Sequence, residues 1–200
     1  MSVKHGVDLE EFGEFVTFAS QNPDEVQLQL SARGLAEDRA LCSLAKVQEY
    51  GLGGETIDRE TREYTFPLGA WKEVEEAAGF VSPTDRPEPV EVTLAALTGC
   101  LNVAVGITAL HEGIELEGLE TKVRLDFDPR VVLYAADLDQ AERMFDNIDV
   151  EIEVSGDISE EQRELLETGA RRSPVWTLLS KANEMEPRVS IVDAEMVMGD

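Results

Sequence analysis

The charge of this 200-residue chain is strongly one-sided, with 42 acidic residues against 17 basic ones and a formal net charge of −25. Such acidity excludes a general electrostatic attraction to nucleic acid or to an anionic membrane. With 42% hydrophobic residues, the chain is apolar enough to form one domain with a sizeable core.

The acidic residues are spread over the whole chain, and only five of the basic residues are lysines. A distributed carboxylate surface that is poor in lysine resembles the proteins of salt-loving organisms such as haloarchaea, because concentrated salt screens the self-repulsion of the compact state. An ordinary acidic protein is the alternative. The N-terminus lacks a signal-peptide pattern and no run of 18 apolar residues occurs, so we expect a cytoplasmic protein without a membrane span.

The cysteines and histidines limit the chemistry further. Cys42 and Cys100 are too few for a disulfide framework and are expected to be free thiols. The chain has only two histidines and no Cys-x-x-Cys spacing. We therefore expect no metal site and no cofactor.

The first third of the chain predicts a helical extension, residues 1–24, followed by a meander of strands, residues 25–70. Residues 8–20 place a bulky apolar side chain at every third position, and Asp8 can cap the first turn. The strands are expected at 26–32, 40–47 and 62–66, with a turn at 51–54. Residues 72–90 contain three prolines and predict a loop.

Residues 91–112 predict a long central helix. No charged residue lies between Glu91 and Glu112, and apolar side chains occur on nearly every side. A helix of this kind is buried on most of its surface. Gly113 is expected to end it. The helix is long for so small a protein, which suggests burial against a second subunit.

The last part of the chain, residues 118–197, predicts strands and a helix. The strands are expected at 120–128, 148–154 and 189–197, where apolar and polar residues alternate. A helix at 159–170 begins with a capping signal, Ser159 followed by Gln162. Residues 129–146 form an insertion with a short helix at 137–145. The order of elements predicts an α+β fold with mainly antiparallel sheets.

Two motifs resemble those of a known family. Pro89-Val-Glu91 leads into a helix that is rich in small residues and carries Cys100. This pattern resembles the signature of the OsmC/Ohr family of thiol peroxidases. The strand and helix that precede Ser173-Pro-Val resemble the family's second motif, which usually reads Cys-Pro-Val. A longer subgroup with a leading helix usually has Ser-Pro-Val, as this chain does.

The resemblance implies an OsmC-like fold with antiparallel sheets around a long central helix, and an intertwined homodimer with its active sites at the interface. It also implies the reduction of organic or hydrogen peroxides. Cys100 matches the cysteine that attacks the peroxide as a thiolate and becomes a sulfenic acid. Glu91 matches the glutamate of the family's Glu–Arg pair. The arginine has no clear match, so Arg86 and Arg33 are both candidates.

Ser173 stands where the family's resolving cysteine should be. A hydroxyl cannot form a disulfide, so turnover at Cys100 would require an external thiol reductant or Cys42, which is expected to be a core residue. From composition alone, Cys100 would also be an inert core thiol. The alternative function is therefore a non-catalytic dimer with the same fold that binds a small apolar ligand or serves a stress-related role.

Overall fold

The structure, a computed structural model, describes residues 3–57 and 63–191. The chain divides into two compact units. Unit 1 comprises residues 1–98 and 122–151, and unit 2 comprises residues 99–121 and 152–200.

Short strands dominate the first part of the chain. In order, the elements are β1 (Val3–Lys4), β2 (Val7–Asp8), α1 (Leu9–Gln21), a 3₁₀ turn (Pro23–Val26), β3 (Leu28–Leu30), β4 (Arg33–Ala36), β5 (Ser43–Val47), β6 (Tyr50–Leu52), β7 (Glu55–Ile57), β8 (Tyr64–Leu68) and α2 (Lys72–Ala77). The remaining elements are α3 (Pro89–Glu112), β9 (Gly118–Phe127), a second 3₁₀ turn (Leu138–Arg143), β10 (Phe145–Ser155), α4 (Glu160–Ala170) and α5 (Pro174–Ser180).

The strands form small sheets. β5 lies between β4 and β8, and β6 lies between β3 and β7; all four of these pairings are antiparallel. β9 pairs with β10, and β1 pairs with β2. The expected α+β class with antiparallel sheets and a long helix is confirmed.

The N-terminal half contains more elements than its sequence pattern predicts. Instead of three strands, the described part of residues 25–70 carries six. Two of the additional strands, β6 and β7, form a hairpin around a tight turn at Gly53 and Gly54 (φ 59° and 84°), and the third is β4. The expected loop at 72–90 contains α2. The prolines that suggested a loop all follow Gly79, which lies just beyond this helix and has a φ of 82°.

Capping residues and proline in the sequence mark the starts of three helices. The carboxylate of Asp8 accepts the N–H groups of Glu10 and Glu11 at 3.0 and 3.4 Å, so the predicted cap of α1 is confirmed. The capping box of Ser159 and Gln162 at the start of α4 is also confirmed. α3 begins at Pro89, two residues earlier than predicted, because proline is well suited to the first turn of a helix.

The C-terminal predictions are corrected in two places. The short helix expected at 137–145 is a 3₁₀ turn at Leu138–Arg143. Of the strand expected at 189–197, residues 189–191 have no regular structure and residues 192–197 lie outside the described residues.

The core of unit 2 lies on one side of α3. Leu101, Ala104, Val105 and Ala109 are buried at helical spacing. α4 packs closely here, because a Cβ atom added to Gly169 would lie 2.1 Å from Oγ1 of Thr108. On the other side of this segment of α3, Val103 and Ile107 are 60% and 46% exposed.

α3 is long and apolar enough to cross a membrane, whereas the sequence predicted no membrane span. It has 24 residues and a mean hydropathy of 1.8 over its most apolar window, of which 33% is buried. The core helix of a soluble protein passes the same test, so this property alone is weak support for a membrane span.

Candidate functional site

Cys100 lies on α3, in unit 2, at the edge of the buried stripe. With 100° between successive residues, its side chain falls between the buried Leu101 and Ala104 and the exposed Val103 and Ile107. The thiol is free and half-buried. The described residues provide it with neither a hydrogen bond nor an ion pair. A half-buried, unpaired thiol is accessible to a small reactant from the uncovered side of the helix.

Glu91 caps the start of α3. Its carboxylate accepts the N–H of Glu88 at 2.9 Å, and the Glu88 carboxylate accepts the N–H of Val90. Two orphan N–H groups are thereby satisfied, and two negative charges lie at the positive end of the helix dipole. The structure thus assigns Glu91 a local role in fixing the start of the helix that carries Cys100.

Ser173 is fully buried and caps α5. Its hydroxyl accepts the N–H of Trp176 at 3.2 Å, and Pro174 occupies the first position of the helix. Serine before proline is a recognised signal for the start of a helix. Ser173, which the resemblance matches to the resolving position, therefore has a structural function.

Arg86, in unit 1, is paired with a carboxylate. Its guanidinium donates two hydrogen bonds to Glu37, one of them at 3.3 Å from Nη2 to Oε1. These bonds, with the charge of Glu37, raise the pKa of Arg86. The backbone beside it is tightly packed, since a Cβ atom at Gly69 would lie 2.9 Å from Cβ of Arg86. Arg86 is thus held in place by a partner.

Arg33 lies elsewhere in unit 1. It is an exposed residue at the start of β4, directly opposite Lys46 of β5. The structure therefore does not bring Arg33 into the Arg86–Glu37 pair.

A third arginine, Arg39, was not identified from the sequence. It lies between β4 and β5, and its Nε atom is 3.9 Å from Oε1 of Glu75, beyond hydrogen-bond distance. Its guanidinium carbon lies 5.7 Å from the centre of the Phe80 ring, a cation–π contact. Arg39 and Glu75 are 36 positions apart, on segments whose local patterns give no sign of the contact.

Glu75 is the fully buried carboxylate of this cluster. It accepts the backbone N–H of Thr84 and, at 3.0 Å, the Thr84 hydroxyl. Burial opposes its charged form, but these hydrogen bonds and the positive charge of Arg39 outweigh that effect and lower the pKa of Glu75. An ionised Glu75 thus holds a negative charge beside Arg39.

Two nitrogen atoms of Arg39, Nε and Nη2, are buried without a hydrogen-bond partner among the described residues. Buried donors are almost always paired. These two donors lie on one edge of a planar guanidinium, which suits an oxygen-bearing or anionic ligand. Arg39 therefore has donors available for such a ligand, whereas the guanidinium of Arg86 is hydrogen-bonded to Glu37.

Cys42 lies beside the same cluster and is buried. It precedes β5, whereas the sequence placed it on a strand. Its sulfur is 3.9 Å from the Thr84 hydroxyl. The burial agrees with the expectation of a core residue.

A comparison with known families shows the family of this chain. A family model described as OsmC-like protein matches residues 82–188, just over half of the chain. The chain belongs to this family. The matched segment includes α3 with Cys100, and also Ser173. No curated protein matches the chain.

Solved structures share the OsmC-like fold. An OsmC-like protein from Mycoplasma pneumoniae is 14% identical, with a TM-score of 0.53 over 76% of this chain and 87% of that one. An organic hydroperoxide resistance protein from Elizabethkingia anophelis, with thiocyanate bound, is 11% identical, with a TM-score of 0.50 over 75% and 86%. At these identities the likeness establishes the fold. The Ser-Pro-Val subgroup and the haloarchaeal origin stay predictions.

Proposed function

We propose that this OsmC-like protein is a thiol-dependent peroxidase that reduces organic or hydrogen peroxides at Cys100. The observation that carries the proposal is the position of Cys100, half-buried and free on α3, within the segment that the family model matches. The hydroperoxide resistance protein that shares the fold supports the choice of reaction.

The proposed reaction uses one protein thiol and an external reductant. The Cys100 thiolate attacks one peroxide oxygen, the O–O bond breaks, and the alkoxide takes up a proton to leave as an alcohol. A thiol reductant then condenses with the sulfenic acid and releases water. A second reductant thiol attacks the mixed disulfide and regenerates Cys100. This external route is proposed because Ser173 is a helix cap and cannot form a disulfide.

The structure distinguishes the three arginines of unit 1 by their partners. Two donors of Arg39 are unused by the described residues, Arg86 is engaged by Glu37, and Arg33 is an exposed residue of β4. We propose that Arg39 is the arginine of unit 1 that binds an oxygen-bearing ligand.

We further propose that the protein is a cytoplasmic homodimer, adapted to high salt, that binds neither nucleic acid nor membranes. An apolar stripe of α3 supports the homodimer, because Val103 and Ile107 are 60% and 46% exposed and an exposed apolar patch is typical of an interaction site.

A non-catalytic dimer that binds a small apolar ligand, or serves a stress-related role, is the second candidate. It is favoured by the Cys100 thiol, which has no activating partner among the described residues. The apolar stripe next to that thiol, with open space at Gly99 and Gly106, would suit an apolar ligand.

Trapping the sulfenic acid separates the two candidates. The reduced protein is treated with cumene hydroperoxide and dimedone, and the adduct is located by peptide mass. We expect an adduct at Cys100 in the wild type and in Cys42→Ser, and none in Cys100→Ser. The peroxidase proposal is wrong if Cys100 stays a free thiol while a known family peroxidase is oxidised in parallel.

A further inference from the structure

The separation of Arg39 and Glu75 suits a bridging oxygen atom. Nε of Arg39 lies 3.9 Å from Oε1 of Glu75. This distance is too long for a direct hydrogen bond, but one oxygen atom can bridge it with hydrogen bonds of about 2.8–2.9 Å to each side. The Arg39 side chain is 30% exposed, so the pair reaches the surface of unit 1. Because Nε and Nη2 themselves are buried, the molecule that brings this oxygen must be small.

Glu75 has an acceptor position for the bridging atom. Its Oε1 accepts the Thr84 hydroxyl at 3.0 Å, and its Oε2 accepts the Thr84 N–H. Each oxygen of an ionised carboxylate can accept two hydrogen bonds and can donate none. The bonds from Thr84 help to keep Glu75 ionised although it is fully buried. A bridging atom must therefore accept from Arg39 and donate to Glu75.

A hydroxyl group meets both requirements, whereas an anion does not. A hydroxyl oxygen accepts hydrogen bonds through its lone pairs and donates one through its O–H. A deprotonated oxyanion only accepts, so it cannot donate to Glu75. It also carries the same charge as Glu75, and like charges in a partly buried cluster repel one another strongly.

The surrounding charges are already balanced. Arg86 is hydrogen-bonded to Glu37, and the charge of Glu75 contributes to raising the pKa of Arg86. The two arginines of the cluster thus face two carboxylates. Asp85, whose Oδ1 accepts the N–H of Lys72, adds another carboxylate to the same segment. The cluster therefore has no excess of positive charge to compensate an added anion.

We infer that Glu75 determines the specificity of the Arg39 site, by admitting small neutral molecules with a hydroxyl group and excluding anions. The ligand oxygen accepts from Nε and Nη2 of Arg39, and its O–H donates to Oε1 of Glu75. The Phe80 ring, whose centre lies 5.7 Å from the guanidinium carbon, suits the apolar part of an alcohol. The inference rests on the proposed binding of an oxygen-bearing ligand by Arg39 and is independent of the proposed chemistry at Cys100.

Titration of the ¹⁵N-labelled full-length protein with two probes tests this specificity. The Nε–H resonance of Arg39, assigned by its loss in Arg39→Lys, is followed by NMR as tert-butanol or sodium nitrate is added at constant ionic strength. We expect tert-butanol to shift the wild-type resonance saturably and nitrate to leave it unchanged. In Glu75→Gln, nitrate should bind at least about tenfold more tightly than in the wild type, because the repulsion is lost. The matched control is Glu76→Gln, which removes the same charge from the next residue, an exposed one, and should behave as the wild type.

The outcomes separate the inference from the proposals on which it rests. Nitrate binding to the wild type as tightly as to Glu75→Gln overturns the role of Glu75 alone, and so does an equal gain in Glu76→Gln. If tert-butanol leaves the wild-type resonance unchanged while nitrate shifts it in Glu75→Gln, the hydroxyl ligand is wrong. The two wild-type titrations decide between a hydroxyl and an anion even if Glu75→Gln does not fold. No shift with either probe in any variant overturns ligand binding at Arg39 as well, while dimedone labelling of Cys100 still tests the chemistry.

Discussion

Replacing Gly169 by alanine tests the packing that supports the helix of Cys100. Gly169 is buried in α4, and an added Cβ atom would lie 2.1 Å from Oγ1 of Thr108 and 2.6 Å from its Cβ and Cγ2. All three distances are well below van der Waals contact. Either the helices must separate or the threonine must rotate, and rotation breaks its 2.8 Å hydrogen bond to the Ala104 carbonyl.

The unfavourable effects of Gly169→Ala exceed the favourable one, so the substitution destabilises the protein. Overpacking a core costs about 1–3 kcal/mol, and loss of the threonine hydrogen bond adds about 0.5–1.5 kcal/mol. The better helix propensity of alanine returns at most ~1 kcal/mol. We expect Gly169→Ala to lower the free energy of unfolding by about 2 kcal/mol and Tm by roughly 4–8 °C.

The assay is thermal unfolding at one salt and one protein concentration, because dissociation of the proposed homodimer would make Tm depend on concentration. Gly13→Ala is the matched control, since a Cβ atom there meets nothing within 4 Å. It should raise Tm, by up to roughly 2–4 °C. The reasoning is refuted if Gly169→Ala is as stable as the wild type, or if the two variants shift Tm in the same direction.

Two further predictions concern Ser173 and Glu75. Ser173→Ala should cost about 1 kcal/mol of stability, because the Trp176 N–H loses its acceptor, and calorimetry should show this loss with an unchanged rate of peroxide reduction. Because its pKa is lowered in the folded state, Glu75 stabilises the protein above its usual pKa of 4.5, and this contribution is lost as the pH falls below that value. In urea unfolding, the difference in the free energy of unfolding between the wild type and Glu75→Gln should therefore decrease below pH 4.5. An increase of this difference there would be contrary to expectation.

Sequence signals within a few residues determined the parts of the fold that depend on local geometry. Asp8 caps α1 because a carboxylate before a helix can reach its first N–H groups, and no distant residue is needed. The same reasoning identified the capping box of α4 and the glycine that ends α3. The spacing from Pro89 to Cys100 supported the family, which the family model confirms.

The tertiary structure alone decided which charged groups meet. Arg39 approaches Glu75, and Arg86 pairs with Glu37, over separations of 36 and 49 positions. Such contacts follow from how sheets and loops pack, and no local pattern encodes them. Ser173 shows both levels: the sequence predicts that it stands in place of a resolving thiol, whereas its complete burial and its helix-capping hydrogen bond are seen only in the fold. Helix starts and strand alternation are local properties of a chain, but burial and charge pairing belong to residues that folding brings together.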